Sequence, residues 1–137
     1  MSRWLIKTEP ETWSWEMQKK RGAKGEVWSG VRNHQAKNNL ASMKYGHRAF
    51  FYHSGGEKAV VGTVEVIKEA YPDPTDPAGR FLAVTVRALV SLKHPVTLAM
   101  AKAEPRLSAM VLVNNTRLSV QPVTDAEWAV LCAMGGI

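Results

Sequence analysis

A chain of 137 residues that is 45% hydrophobic and 22% charged has the size and composition of one packed domain, expected here over residues 1–137. Its one cysteine, Cys132, excludes an intramolecular disulfide and fits a small core residue in a reducing compartment. Net charge is +6, and all of the excess sits in residues 1–60, with 11 Lys/Arg against 5 Asp/Glu, while residues 61–137 carry 7 of each.

In chain order, Arg3–Lys7 reads as a short strand that Thr8-Glu9-Pro10 stops. Ser14 is placed to cap a helix running to about Arg21, and Gly22 ends it. Ala36, Leu40 and Met43 share one side of a second helix predicted from Asn33 to Met43. Arg48–His53 is rich in β-formers, and Ala59–Ala70 follows the Ser54-Gly-Gly56 turn as a longer strand. Its alternation puts Val60, Gly62, Val64 and Val66 on one face.

The proline-rich Tyr71–Pro77 loop breaks the pattern before a strand from Phe81 to Leu92. Thr97 caps a helical stretch near Leu98–Ala103, Leu107–Met110 forms a turn, and Leu118–Gln121 is a short strand. Thr124-Asp-Ala-Glu127 matches a capping box that opens the last helix, with Trp128 and Leu131 inward. Strands mixed with short helices, without βαβ alternation, indicate an α+β fold: a curled, barrel-like, mostly antiparallel sheet flanked by helices.

The apolar run at the N-terminus is too short for a signal peptide, and no stretch approaches the roughly 20 apolar residues of a membrane span. A cytoplasmic protein without a membrane partner is expected. His34, His47, His53 and His94 lie in separate segments, so neither metal-ligand spacing nor a cofactor motif is present. Glu9 or His53 as a general base is the enzymatic alternative, but no nucleophile–base set accompanies either. A sensor of a small anionic metabolite is a further alternative, since a basic half suits any anion. The same charge fits a phosphate backbone, where each Lys or Arg contact releases counterions, or simply a solvated face.

Trp28-Ser-Gly-Val-Arg-Asn-His-Gln35 is the most informative stretch. An indole at a loop–helix junction offers a π face to a base, Asn33 and Gln35 carry donors and acceptors, and Arg32 suits a phosphate. A core Trp28 and a helix-capping Asn33 remain open as the alternative. Trp13, Trp15, Trp4 and Trp128 read as packing residues.

Lys7-Thr8-Glu9-Pro10, Trp28–Asn33 with Gln35-Ala36 and Asn38-Asn39-Leu40, Phe51-Tyr-His-Ser54, Tyr71-Pro-Asp-Pro74 and Leu118–Val123 together resemble the signatures of the EVE domain. They fall in family order along nearly the whole chain. The resemblance implies a PUA-like fold and a non-catalytic pocket for a modified base, with modified cytosine in DNA or RNA as the usual ligand and no cofactor or metal. It further implies a base pocket lined by Trp28, Ser29, Val31, Asn33, Gln35 and Asn39, by Tyr52, His53 and Ser54, by Tyr71, and by Ser119 and Gln121. Lys7, Thr8, Arg32 and Lys37 are implied as its phosphate-facing rim. On that reading Trp28→Ala removes binding and leaves thermal stability nearly unchanged. The segment after Thr75 is shorter than in many relatives and lies near the expected pocket mouth. The oligomeric state is open, with a monomer expected.

Overall fold

β1 (Arg3–Thr8) and β3 (Arg48–His53) are apolar on both sides, which suits the middle of a sheet with two covered faces. The computed structural model describes residues 1–137 and places them there. The other strands are β2 (Glu26–Trp28), β4 (Ala59–Pro72), β5 (Leu82–Thr97) and β6 (Val120–Val123). Their order is β2-β5-β4-β3-β1-β6. The β1–β3 pair is parallel and every other pair antiparallel. β2 and β6 are unpaired edges, so the class and the mostly antiparallel pairing are as expected while the sheet stays open rather than closing into a barrel. Register shifts recur along β4 and β5, and such bulges bend and twist long strands.

Alternation divides the interior in two. Trp4, Ile6, Phe51, Val64, Val66 and Val84 pack on the first face beneath α1 (Trp15–Lys20) and α2 (His34–Ser42). Leu5, Phe50, Tyr52, Leu92 and Val96 pack on the second. There α3 (Leu98–Ala103), α4 (Val111–Asn114) and α5 (Asp125–Gly135) contribute Ala101, Leu112 and Leu131. Val60 departs from the simple period. A register break between Val60 and Gly62 sends it to the second core, opposite Val64 and Val66. Gly62 itself lies under the Trp15 indole, where a Cβ would come within 2.3 Å of the ring.

The helix starts follow the capping residues. Ser14, Asn33 and Thr97 each accept an amide of the first turn, and Thr124 and Glu127 form the reciprocal box at 3.1 and 3.0 Å. The strand ends differ most from the sequence pattern in β4, β5 and β6. β4 runs on through Tyr71 to Pro72, because both residues pair with β5. β5 continues to Thr97 past Pro95, where β2 no longer covers its outer edge and the missing N–H breaks no ladder there. β6 starts at Val120 rather than Leu118. No helix is long and apolar enough to cross a membrane.

Candidate functional site

Beyond the ends of β1 and β2 the first face is not covered by a helix, and a concavity of ≈ 590 Å³ opens there. Trp28 and Val31 line its inner side, and Trp13 a flank. Trp28 is only 6% exposed, and it meets Phe51 edge-on with ring centroids 5.5 Å apart. Its indole is therefore both a core member and a pocket wall. That corrects the expectation for Trp28→Ala: truncating so buried an indole costs about 3–5 kcal/mol of stability. Trp13 is the more open of the two rings. Its Nε1–H donates to Gln18 Oε1 at 2.8 Å, and the fully buried Gln18 in turn donates to the Val86 carbonyl at 3.1 Å. The sequence pattern gave Trp13 to packing alone; the structure puts it against both the core and the concavity.

The lip from Ser29 to Asn33 is fixed by Asp73, a carboxylate with no exposed side-chain surface. Asp73 accepts the Gly30 N–H at 2.8 Å, Arg32 Nη1 at 3.1 Å, and both the N–H and the hydroxyl of Thr75 at 2.7 Å. Burial alone raises its pKa; the Thr75 donors, then Gly30 and Arg32, outweigh it and hold the group at about 2. Arg32 donates as well to Thr75 Oγ1 at 3.0 Å and to the Val31 carbonyl. Its guanidinium is thus engaged in shaping the lip, rather than standing free for a phosphate as the sequence suggested. Asn33 Oδ1 is used by the Ala36 N–H at 2.9 Å, which leaves the two Nδ2 hydrogens as donors on the concavity wall. Glu26 lines the same space, and its carboxylate pairs with Arg21 at 3.3 Å.

Of the residues singled out in the sequence, Lys7, Thr8, Trp28, Ser29, Val31, Arg32, Asn33 and Ser119 come together around this concavity. Lys7 Nζ donates to the Thr116 carbonyl at 2.6 Å and lies 5.4 Å from the Tyr52 ring centroid. Burial lowers its pKa to about 8.

The other singled-out residues lie elsewhere. Gln35 is exposed and Lys37 half-buried on α2, neither against the concavity. Asn39 ties α2 to β6 by donating to the Val120 carbonyl at 2.7 Å. Tyr52 points to the second core by strand alternation and, with Ser54, lines a separate, smaller concavity. His53 is buried: Nε2 accepts the Trp15 N–H at 3.0 Å and Nδ1 meets Glu57 at 2.6 Å, so both nitrogens have structural partners. Tyr71 pairs its hydroxyl with Thr85 at 2.8 Å. Gln121 stands opposite Leu5 on the second face, where its fully buried amide donates to the carbonyls of Asn115 and Leu118. Glu9, the other candidate base, is exposed and outside the concavity. No group of three or more His, Cys, Asp or Glu is placed to hold a metal ion.

A family model described as the EVE domain matches residues 2–134. The chain belongs to the EVE family. Human thymocyte nuclear protein 1 is 35% identical over 93% of this chain and 71% of its own length. A protein of Rhodopseudomonas palustris solved by NMR is 55% identical, with a TM-score of 0.94 over 99% of this chain and 94% of that one. The human THYN1 protein, solved in complex with DNA containing 5-methylcytosine, is 32% identical, with a TM-score of 0.91 over 100% of this EVE chain and 99% of that one. A YTH domain of Zygosaccharomyces rouxii, at 17% identity and a TM-score of 0.60 over 98% of this chain and 86% of that one, shares the fold. The PUA-like α+β architecture of this EVE chain agrees with these likenesses.

Proposed function

We propose that this EVE chain is a non-catalytic nucleic-acid reader that takes one modified base, a methylated cytosine of DNA or RNA, into the concavity between Trp13 and Trp28. The observation that carries this reading is the pairing of two indoles with the Asn33 amide and Glu26 around ≈ 590 Å³ of open space, a volume within the usual range of ligand sites. Its support from outside the chain is the human relative's complex with DNA containing 5-methylcytosine.

The energetics fit an extruded or unpaired base. Taking a base out of a duplex costs a few kcal/mol, and less from a single strand. Stacking returns roughly 1–3 kcal/mol per base. Cytosine offers an exocyclic amino donor and a carbonyl acceptor; Glu26 matches the first and the Asn33 Nδ2 hydrogens match the second. A methyl group buried against the indoles adds at most about 0.8 kcal/mol. Discrimination therefore depends on the Asp73-held lip keeping the cavity shape fixed. A general base in the same site is not favoured, since His53 has both nitrogens committed elsewhere and Glu9 does not line the space.

Trp13→Ala tests the reading. Titrated with a labelled single strand carrying one 5-methylcytosine, below its melting range, it should bind roughly 5- to 150-fold more weakly, the loss of one stacked base. Its Tm should fall as well, because Gln18 Oε1 loses its buried donor. Gln18→Leu, which removes that donor–acceptor pair and keeps the Trp13 ring, should bind like the parent. Undiminished affinity would remove the concavity from the reader role. Turnover of the modified strand by the purified protein, read by mass spectrometry, would instead favour an enzyme. Affinity insensitive to salt would favour a small anion over a polyanion.

A further inference from the structure

Lys7 lines not one concavity but two. On its other side lies a space of ≈ 260 Å³ formed by Tyr52, Ser54, Lys58, Lys102 and Thr116. Three lysines thus line one small site, and none of their ammonium groups is within 4.0 Å of a carboxylate. The acids closest in sequence to Lys58 and Lys102 are engaged, Glu57 with His53 at 2.6 Å and Glu104 with Arg106 at 2.9 Å, and Glu9, two residues from Lys7, is exposed and lines neither concavity. The Ser54 and Thr116 side-chain hydroxyls make no hydrogen bond within the protein, so both are free to donate to an anion.

The backbone supports the same site. Lys58 is the one non-glycine residue with a positive φ, 49°, a conformation that costs energy and persists where the surroundings enforce it. Here the Lys58 carbonyl is held by the Leu98 N–H at 2.8 Å, while the Ser54 N–H donates to the Thr8 carbonyl at 2.8 Å. The β3–β4 turn that presents Ser54 and Lys58 is therefore fastened to Thr8 on the lip of the Trp13–Trp28 concavity and to the start of α3, which carries Lys102.

We propose that this lysine-lined concavity is a phosphodiester subsite, holding the backbone phosphate beside the nucleotide whose base enters the Trp13–Trp28 concavity, with Lys7 shared between the two. The placement relative to the base rests on the reader proposal; the choice of an anion rests on the three uncompensated ammonium groups alone. Phosphate also restores what burial takes from Lys7, since a neighbouring anion favours the charged amine.

The experiment compares the parent protein with Lys58→Gly/Lys102→Ala on single strands with and without one 5-methylcytosine, over a range of salt concentrations. Glycine accepts the positive φ, so the backbone of the turn is kept, and Lys102→Ala alone on exposed α3 serves as a second variant. Lys20→Ala/Lys93→Ala, two lysines outside both concavities, makes the same change in net charge. The proposal expects several-fold weaker binding of both strands by the double variant, an unchanged preference for the methylated one, and a salt slope smaller by about 0.7, one single-strand phosphate contact. The control pair should show neither the slope change nor the larger loss.

Parent-like affinity and slope in the double variant overturn the subsite. So does a loss confined to the methylated strand, which would make it part of base recognition. If instead the two variants differ only in binding free inorganic phosphate, the site takes a small anion and the strand assignment falls. A parent protein with no methyl preference defeats the reader proposal, yet the unmodified strand still decides the subsite by its slope.

Discussion

The two faces of the sheet are closed by different means. The second is sealed with apolar volume: Leu131 on α5 is fully buried, and Phe50 stacks on Trp128 with ring centroids 3.9 Å apart. Arg3 lies 4.9 Å from that same indole, and a capping box anchors the helix. The first face carries an even larger apolar cluster, but its far end is bordered by a loop whose shape depends on one buried carboxylate and its donors. A lid made of hydrogen bonds keeps a cavity open, whereas a lid made of packed side chains fills it. On the proposed reading the base is taken on the first face, while most of the second face is given to packing and only its edge at Tyr52 and α3 carries the lysine-lined concavity.

That division yields predictions, the largest on the sealed side. Phe50→Ala should lose about 3–5 kcal/mol in urea unfolding while the surviving folded fraction keeps its preference for a methylated strand. A lost preference would mean that the two faces are coupled. Gly62→Ala tests the first core away from the cavity. A methyl group within 2.3 Å of the Trp15 ring should cost roughly 1–3 kcal/mol, again with base preference intact.

Asp73→Asn acts on the lip. It should cost on the order of 1–2 kcal/mol near neutral pH, discounted for the solvent around Arg32, and weaken modified-strand binding beyond that of Gly62→Ala. The sign with pH follows from the depressed carboxyl. A folded value of about 2 against 3.8 for the free group means the parent's extra stability is fully present above about pH 4 and lost as pH falls through 2. The Asn variant should lack that acid-dependent part of the unfolding profile.

The smallest effect concerns Lys7. Its pKa is lowered from 10.5 to about 8, so charging it opposes folding below pH 8, and stability from this group rises between pH 8 and 10.5. Lys7→Met should flatten that rise in a pH series of melting curves, by no more than about 1 kcal/mol for a half-exposed amine. Strand binding by the parent should weaken as pH climbs through 8.

Much of the fold was readable because its signals are local. The caps at Ser14, Asn33, Thr97 and Thr124 and the periodicity of Ala36, Leu40 and Met43 need only neighbouring residues. What stayed hidden is set across the chain. β2 has three residues, and only its pairing with Val84–Val86 makes it a strand. Val60 changes face through a register break that no alternation pattern announces.

The site divides the same way. The stretch from Trp28 to Asn33 declares itself as one segment, whereas Trp13, Glu26 and Asp73 join it only through folding. Asp73 sits inside the Tyr71-Pro-Asp-Pro74 motif, so its signal was present, but its bonds to Gly30 and Arg32 were not legible. Tyr52 and Gln121 were misplaced for a simpler reason. Each occupies the strand position whose side chain turns to the second face.

The five tryptophans give the most direct test of where a base goes. Indole N–H resonances, resolved by two-dimensional NMR, would be followed while a single strand bearing one 5-methylcytosine is added. A base held in the concavity should move the signals of Trp13 and Trp28 and leave those of Trp4, Trp15 and Trp128 in place. Saturable binding that shifts Trp4 or Trp128 and spares the other pair would contradict the proposed site.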